Sequence, residues 1–385
     1  MITGIHFLLT YTCNLECDHC FVYSGPKAKG TLTVSRLRKV FDEIAKIRTI
    51  EWIYFEGGEP FLFYPVMLEG IKIAHDMGFK TGVVTNAYWA ISEEDAELWL
   101  RPFCRLGISD LSISDDTFHY EDERDNPAKR ALGAAKKLGI AVNTISIEKP
   151  TVEEGMDKGQ ARGESVIGGG ALFRGRAVEK LTEGLPKRWW EEFTECPYED
   201  LKDPKRVHID PYGHVHVCQG LSIGNIWEIP LSKIVTDYDA NAHPICGPLI
   251  RGGPALLAKK YNVKHDDEYI DACHLCYLVR LALLDKFPKY LAPRQVYGLD
   301  IDVGNFFYPR DVALYSGLFD LETWAYNRGV DEGKYKNQRG KIQSSLDRMK
   351  LNGKNNRNAV THNYRKCLNG KKAARIEKVV YKRTM

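Results

Sequence analysis

Three cysteines near the start of the chain, Cys13, Cys17 and Cys20, stand in the spacing CxxxCxxC directly after the apolar run Ile5, Phe7, Leu8 and Leu9. Thiolates are ligands for soft metals. Three of them in one short loop after a strand can hold three corners of an iron-sulfur cluster and leave the fourth iron open to chemistry. A zinc site would need a fourth ligand, and His19, the local candidate, sits inside the second gap, crowded by its neighbours. A disulfide would need an oxidising compartment. The first residues lack the charged start and cleavage site of a secretory signal, and the apolar run is too short to cross a bilayer. The expectation is a reduced, cytoplasmic protein with no membrane segment.

More groups suited to binding follow at regular intervals: Gly57-Gly58-Glu59-Pro60, Thr85-Asn86, and Ser112, Ser114 and Asp115. Paired glycines permit a turn and close approach of backbone to a ligand, and a carboxylate such as Glu59 can accept from an ammonium group. Each also has a structural reading. The glycines can make a strand-to-helix turn, Asn86 can be a turn residue, and Ser112, Ser114 and Asp115 can cap a helix.

The elements that position these residues are readable from periodicity. Short β-branched runs alternate with longer amphipathic stretches, which is the pattern of repeated βα units on a parallel sheet. Strands are expected at Gly4–Thr12, Trp52–Glu56, Lys80–Asn86, Asp110–Asp115 and Ala141–Ile147, with a sixth through Ala171–Arg176. Helices are expected at Ser35–Ile47, Val66–Met77, Glu93–Leu106 and Ala128–Leu138, with Thr33 or Ser35 capping the first and Ser92 the third. The fold class is α/β, a partial (β/α)6 TIM-like barrel, and every residue singled out above falls at a strand's C-terminal end, where such folds keep their sites.

In these features the chain resembles the radical S-adenosylmethionine (SAM) superfamily, through Cys13 to Cys20, Gly57 to Pro60 and Thr85-Asn86. The resemblance implies that the three cysteines hold a [4Fe-4S] cluster whose fourth iron is chelated by the methionine end of SAM. It places Gly57, Gly58, Glu59 and Pro60 along the methionine amine, adds Thr85 and Asn86 to the cofactor site, and puts Ser112, Ser114 and Asp115 near the ribose. It also implies reductive cleavage of SAM to a 5′-deoxyadenosyl radical that takes a hydrogen atom from substrate, with a low-potential donor such as flavodoxin or ferredoxin.

A second cysteine group has a different texture. Arg206 to Cys218 alternates His and Val around Asp210-Pro211-Tyr212-Gly213, which reads as a β-hairpin delivering Cys218 to a fixed place. The histidines His208, His214 and His216 are expected to be exposed or stacking rather than ligands. Cys196 precedes the hairpin and Cys273 and Cys276 form a CxxC. Cys246 could replace Cys196 as a ligand or be a buried free thiol, and the free thiol is the favoured reading. Four cysteines of this kind also suit structural zinc. The set Cys196, Gly213, Cys218, Cys273 and Cys276 resembles the auxiliary-cluster modules SPASM and Twitch, which implies one auxiliary [4Fe-4S] cluster as electron acceptor. Arg174 and Arg176 are expected to face the cavity, where they could bind a carboxylate or phosphate.

At 385 residues, 44% hydrophobic, the chain can bury a substantial core in two or three units. The expected division is a barrel over residues 1–185, an α+β auxiliary-cluster domain over 186–298 and a basic extension over 299–385. From Asp331 onward there are 16 Lys and Arg against 4 Asp and Glu, so the preceding part is net acidic although the whole chain is close to neutral. A basic tail can meet nucleic acid, yet a solvated end is the favoured reading. The leading expectation is an oxidoreductase or maturase acting on a peptide or small metabolite. A radical enzyme acting on RNA or a nucleotide, and a zinc-stabilised nucleic-acid-binding or scaffold protein, are the alternatives.

Overall fold

The structure is a computed structural model that describes residues 1–122, 124–154 and 165–299. Five parallel strands form the first half: β1 (Gly4–Thr10), β2 (Trp52–Gly57), β3 (Lys80–Thr85), β4 (Asp110–Ser114) and β5 (Val142–Ile145). They alternate with α1 (Val34–Ile44), α2 (Tyr64–Asp76), α3 (Glu93–Leu106) and α4 (Pro127–Lys137). Local chemistry sets the helix starts. Thr33, Ser92 and Asn126 each accept from a backbone N–H in the first turn of α1, α3 and α4. Alternation along β1 sends Phe7 toward the helices, against Phe41 and Phe55, and leaves His6 on the other face, stacked on Tyr54.

The sixth strand expected at Ala171–Arg176 does not form. After the hairpin of β6 (Val152–Glu154) and β7 (Ser165–Ile167), those residues run as an irregular segment into the single turn α5 (Ala177–Lys180). Gly170 and Gly175, both at positive φ, interrupt any strand there. A short ribbon of β8 (Arg188–Trp189) with β12 (Glu268–Tyr269) follows.

The hairpin expected around Asp210 is present as β9 (Arg206–Ile209) and β10 (His214–Cys218), continued by β11 (Leu221–Asn225). Its position was not foreseen. Strand β9 pairs in parallel with β1, so the sheet order is β11-β10-β9-β1-β2-β3-β4-β5. The sequence boundary at 185/186 therefore marks a change of texture within one sheet, and residues from Met1 to Asp302 cluster as one compact unit. Helices α6 (Leu231–Asp237), α7 (Cys246–Tyr261) and α8 (Ala272–Ala282) complete it. The basic extension lies outside the described residues. Among those described, no helix is long and apolar enough to cross a membrane.

Candidate metal and cofactor sites

The loop carrying Cys13, Cys17 and Cys20 leaves β1 and folds over the C-terminal ends of the parallel strands. The three cysteines line an open cavity of about 700 Å³ with Glu56, Gly57, Gly58, Thr85, Asn86, Ser114 and His119. N–H donors face the sulfurs: Leu15 N lies 3.4 Å from Cys13 Sγ, Ser24 N 3.3 Å from Cys20 Sγ, and Asn86 Nδ2 3.7 Å from Cys13 Sγ. Burial pushes the Cys13 and Cys17 thiols up to about 12. Such thiols ionise only when a cationic centre binds them, and this donor set fits the three protein-held irons of a [4Fe-4S] cluster.

The glycines prove to be packing positions. A Cβ on Gly57 would stand 2.3 Å from the Thr10 carbonyl oxygen, and one on Gly58 2.3 Å from that of Thr12. Their close approach docks the turn on the end of β1, with Gly58 N donating to Thr10 O and Glu59 N to Thr12 O. Pro60 is buried and opens the short turn after them.

Glu59 departs from its expected role. Its carboxylate is completely buried and accepts from Phe61 N, Thr85 Oγ1 and Asn86 N at 3.0, 2.9 and 2.7 Å. With both oxygens engaged by the protein, it braces the β2 turn against the end of β3 and does not reach an incoming ammonium. Burial pushes this carboxyl up to about 7, against the opposing pull of those donors. Asn86 continues the chain of contacts by donating to Asn14 Oδ1 at 3.0 Å.

The three ribose candidates separate. Ser114 lines the cavity. Ser112 Oγ lies 2.9 Å from Asp110 Oδ2 and 3.1 Å from Asn143 Oδ1, held in a side-chain cluster between β4 and β5. Asp115 pairs with Lys129 Nζ at 2.6 Å and accepts from Asn126 Nδ2 at 3.1 Å, at the start of α4. His19 packs on Phe118, with ring centroids 4.6 Å apart, and does not line the cavity.

The second cysteine group also converges. Cys196, Cys218, Cys273 and Cys276 line one small cavity together with Arg174, Glu199 and Arg280. Burial raises the Cys196 thiol and pushes Cys276 up to about 12. Four thiols beside two buried guanidinium groups suit a site whose occupant leaves the thiolates net negative. Cys246 is completely buried, as expected, and does not line this cavity.

Arg174 and Arg176 address the two cysteine groups and not a substrate cavity. Arg176 donates to the carbonyls of Cys17 and Ser24, each at 2.7 Å, and so clamps the first loop. Arg174 Nη1 lies 3.2 Å from Cys218 Sγ. Gly175 between them packs so closely on the first loop that a Cβ would stand 2.5 Å from Phe21 Cα.

Sequence reasoning missed Arg280 and a polar group on the inner face of the sheet. His208 and His216 are buried, not exposed, and His214 is nearly so. His208 Nε2 stands 3.0 Å and His6 Nδ1 3.4 Å from the Glu56 carboxylate. The signal for Arg280 was available: Cys273, Cys276 and Arg280 are three and four residues apart, which places them on one face of a helix.

Parallel βα units with a three-cysteine loop at their C-terminal edge define a class. Residues 7–148 match the family described as the Radical SAM superfamily, so this stretch of the chain is a radical SAM domain, of a family of enzymes that use a [4Fe-4S] cluster and SAM. YydG of Bacillus subtilis (strain 168), whose name assigns it to peptide biosynthesis, is 24% identical over 257 residues, covering 65% of this chain and 71% of its own. The PqqA peptide cyclase of Bradyrhizobium diazoefficiens is 29% identical over 37% of this chain and 36% of its own. Among solved structures, BtrN in complex with AdoMet and 2-DOIA aligns with a TM-score of 0.40 at 15% identity, over 61% of this chain and 82% of that one.

Proposed function

We propose that this chain is a radical SAM maturase that oxidises or crosslinks a peptide, with a second [4Fe-4S] cluster held by Cys196, Cys218, Cys273 and Cys276. The observation that carries the reading is the convergence of these four thiols on one cavity, in the same sheet-linked unit as the SAM-type loop. The peptide assignment rests on YydG, whose similarity covers 65% of the chain and so extends well beyond the 142 residues of the superfamily match at 7–148.

When bound, the first cluster and SAM supply a 5′-deoxyadenosyl radical by one-electron cleavage, the electron coming from a flavodoxin or ferredoxin. The protein's part is positional. Cys13, Cys17 and Cys20 would hold the cluster, and Arg176 fixes their loop through the Cys17 and Ser24 carbonyls. Gly57, Gly58 and Asn86, braced by Glu59, form the cavity wall along which the methionine end of SAM would lie. Leu8, Leu15, Val22 and Val84 line the cavity's apolar side and exclude water from a reactive intermediate. Ser114, which lines the cavity, is assigned to the ribose in this reading.

The test is anaerobic turnover with SAM and dithionite. The parent protein forms 5′-deoxyadenosine, and Cys13→Ala, Cys17→Ala and Cys20→Ala each abolish it. Retention of product in those variants would refute the assigned site.

A further inference from the structure

Two arginines are buried at the second cysteine cavity with almost nothing to neutralise them. Arg280 is 2% exposed; Nη1 donates to the Gln219 carbonyl at 3.0 Å, the guanidinium lies 5.7 Å from the Tyr297 ring centroid, and Nε has no hydrogen-bond partner. Among the described residues no carboxylate comes within 4.0 Å of it. Arg174 is 8% exposed, and its Nε is likewise without a partner. Among the described residues the carboxylate within 4.0 Å of it is Glu199, at 3.7 Å, which also faces Arg206 at 3.5 Å; Asp271 lies further off but within electrostatic reach.

Arginine does not escape such a setting by losing its proton, and a buried cation persists only where an anion faces it. The anion available is the thiolate set. Cys218 Sγ is 3.2 Å from Arg174, and Cys276 lies one helical turn before Arg280 on α8. Four thiolates around a [4Fe-4S] core of charge 2+ carry a net charge of −2, and one added electron makes it −3. Two fixed positive charges in a low-dielectric pocket favour the more negative form.

We propose that Arg174 and Arg280 are positioning residues that set the electron affinity of the auxiliary cluster, holding its one-electron-reduced state and thereby making it an acceptor. The inference rests on the iron-sulfur reading of this cavity. Two features of the chain support it independently of substrate. Arg280 shares the helix face of Cys273 and Cys276, and Arg174 sits on the segment that also packs on the first cysteine loop, with its guanidinium 5.4 Å from the Phe21 ring centroid.

The experiment is an EPR-monitored titration of the anaerobically purified full chain with dithionite, alongside iron, sulfide and zinc analysis. Arg280→Gln and Arg174→Gln should each keep the iron count and move the auxiliary midpoint to more negative potential. Each should shift the reduction equilibrium by at least tenfold, or 59 mV for one electron. Arg280→Lys should recover part of the shift because it restores the charge. A full iron count with an unmoved midpoint in both Gln variants would overturn the proposal. If Arg280→Gln loses its cluster, the comparison of Arg280→Lys and Arg174→Gln with the parent decides in the same way. Zinc in place of iron at the second site would sink the underlying reading, an outcome distinct from a cluster with unmoved potential.

Discussion

At the scale of single residues, what surrounds the cofactor site is a set of braces. Glu59 is the clearest case, a carboxylate that looks like a ligand group in the sequence and is spent on Phe61, Thr85 and Asn86. Its environment explains why the two readings look alike before the structure is known. A buried acceptor for backbone amides and an acceptor for a substrate ammonium call for the same residue type at the same turn. Glu59→Ala would leave three buried donors without an acceptor. Each unmet group costs about 1–3 kcal/mol, so a net loss on the order of 3 kcal/mol in stability is expected in chemical denaturation, after Thr85 rotates. Glu59→Gln should cost less, since it keeps acceptor oxygen for part of the set. A stability equal to the parent's in the alanine variant would show that the brace is not formed. Ser112 and Asp115 teach the same lesson: they stand at the right strand end, and their partners Asn143 and Lys129 come from other elements, whose side-chain directions the sequence does not specify.

At the scale of elements, α3 was legible to the residue, because Ser92, three acids in the first turn and Gly107 mark both ends. The first five strands were legible from their alternation. The neighbour of β1 was not, because pairing between residues about 200 positions apart leaves no local pattern. The contact that fixes that neighbour is Asp210, at the β9–β10 turn. It accepts from Tyr11 at the end of β1, and from Tyr212 N, His214 N and His214 Nδ1. Burial by itself would raise this carboxyl. The facing His214 and His216, with those donors, hold it well below the ordinary carboxylate range. A lowered folded-state pKa means that the stabilisation is complete above the unfolded value of 3.8, declines below it, and is lost as pH falls through the folded-state value far beneath. Asp210→Asn should therefore be less stable than the parent near neutrality by about 2 kcal/mol. The gap should begin to narrow below about pH 5 and go on narrowing to the acid limit of thermal melts. Parallel pH dependences for the two proteins would contradict the assignment.

At the scale of the whole molecule, the second cysteine group is tied to the first by a sheet. Strand β9 covers the edge of β1, and the Arg174 to Arg176 segment touches both cysteine groups. A fragment ending at residue 185 would expose the β1 edge and free the hydroxyl of Tyr11. It should aggregate or show no cooperative melt, whereas a soluble, cooperatively folding fragment would mean that the two halves are separable. The cysteine spacings disclosed both groups, since metal ligands are few and their residue type is restricted. The spacing of Cys273, Cys276 and Arg280 also carried the signal for Arg280, whereas nothing local marked Arg174 as a neighbour of the second set, because a buried cation looks like any other arginine until its surroundings are known. The account as a whole turns on there being two clusters. Anaerobic reconstitution with iron and sulfide counting measures this most directly: about eight irons per chain are expected for the parent and about four for the Cys273→Ala, Cys276→Ala double variant. Four irons in both proteins, or zinc held at the second site, would contradict it.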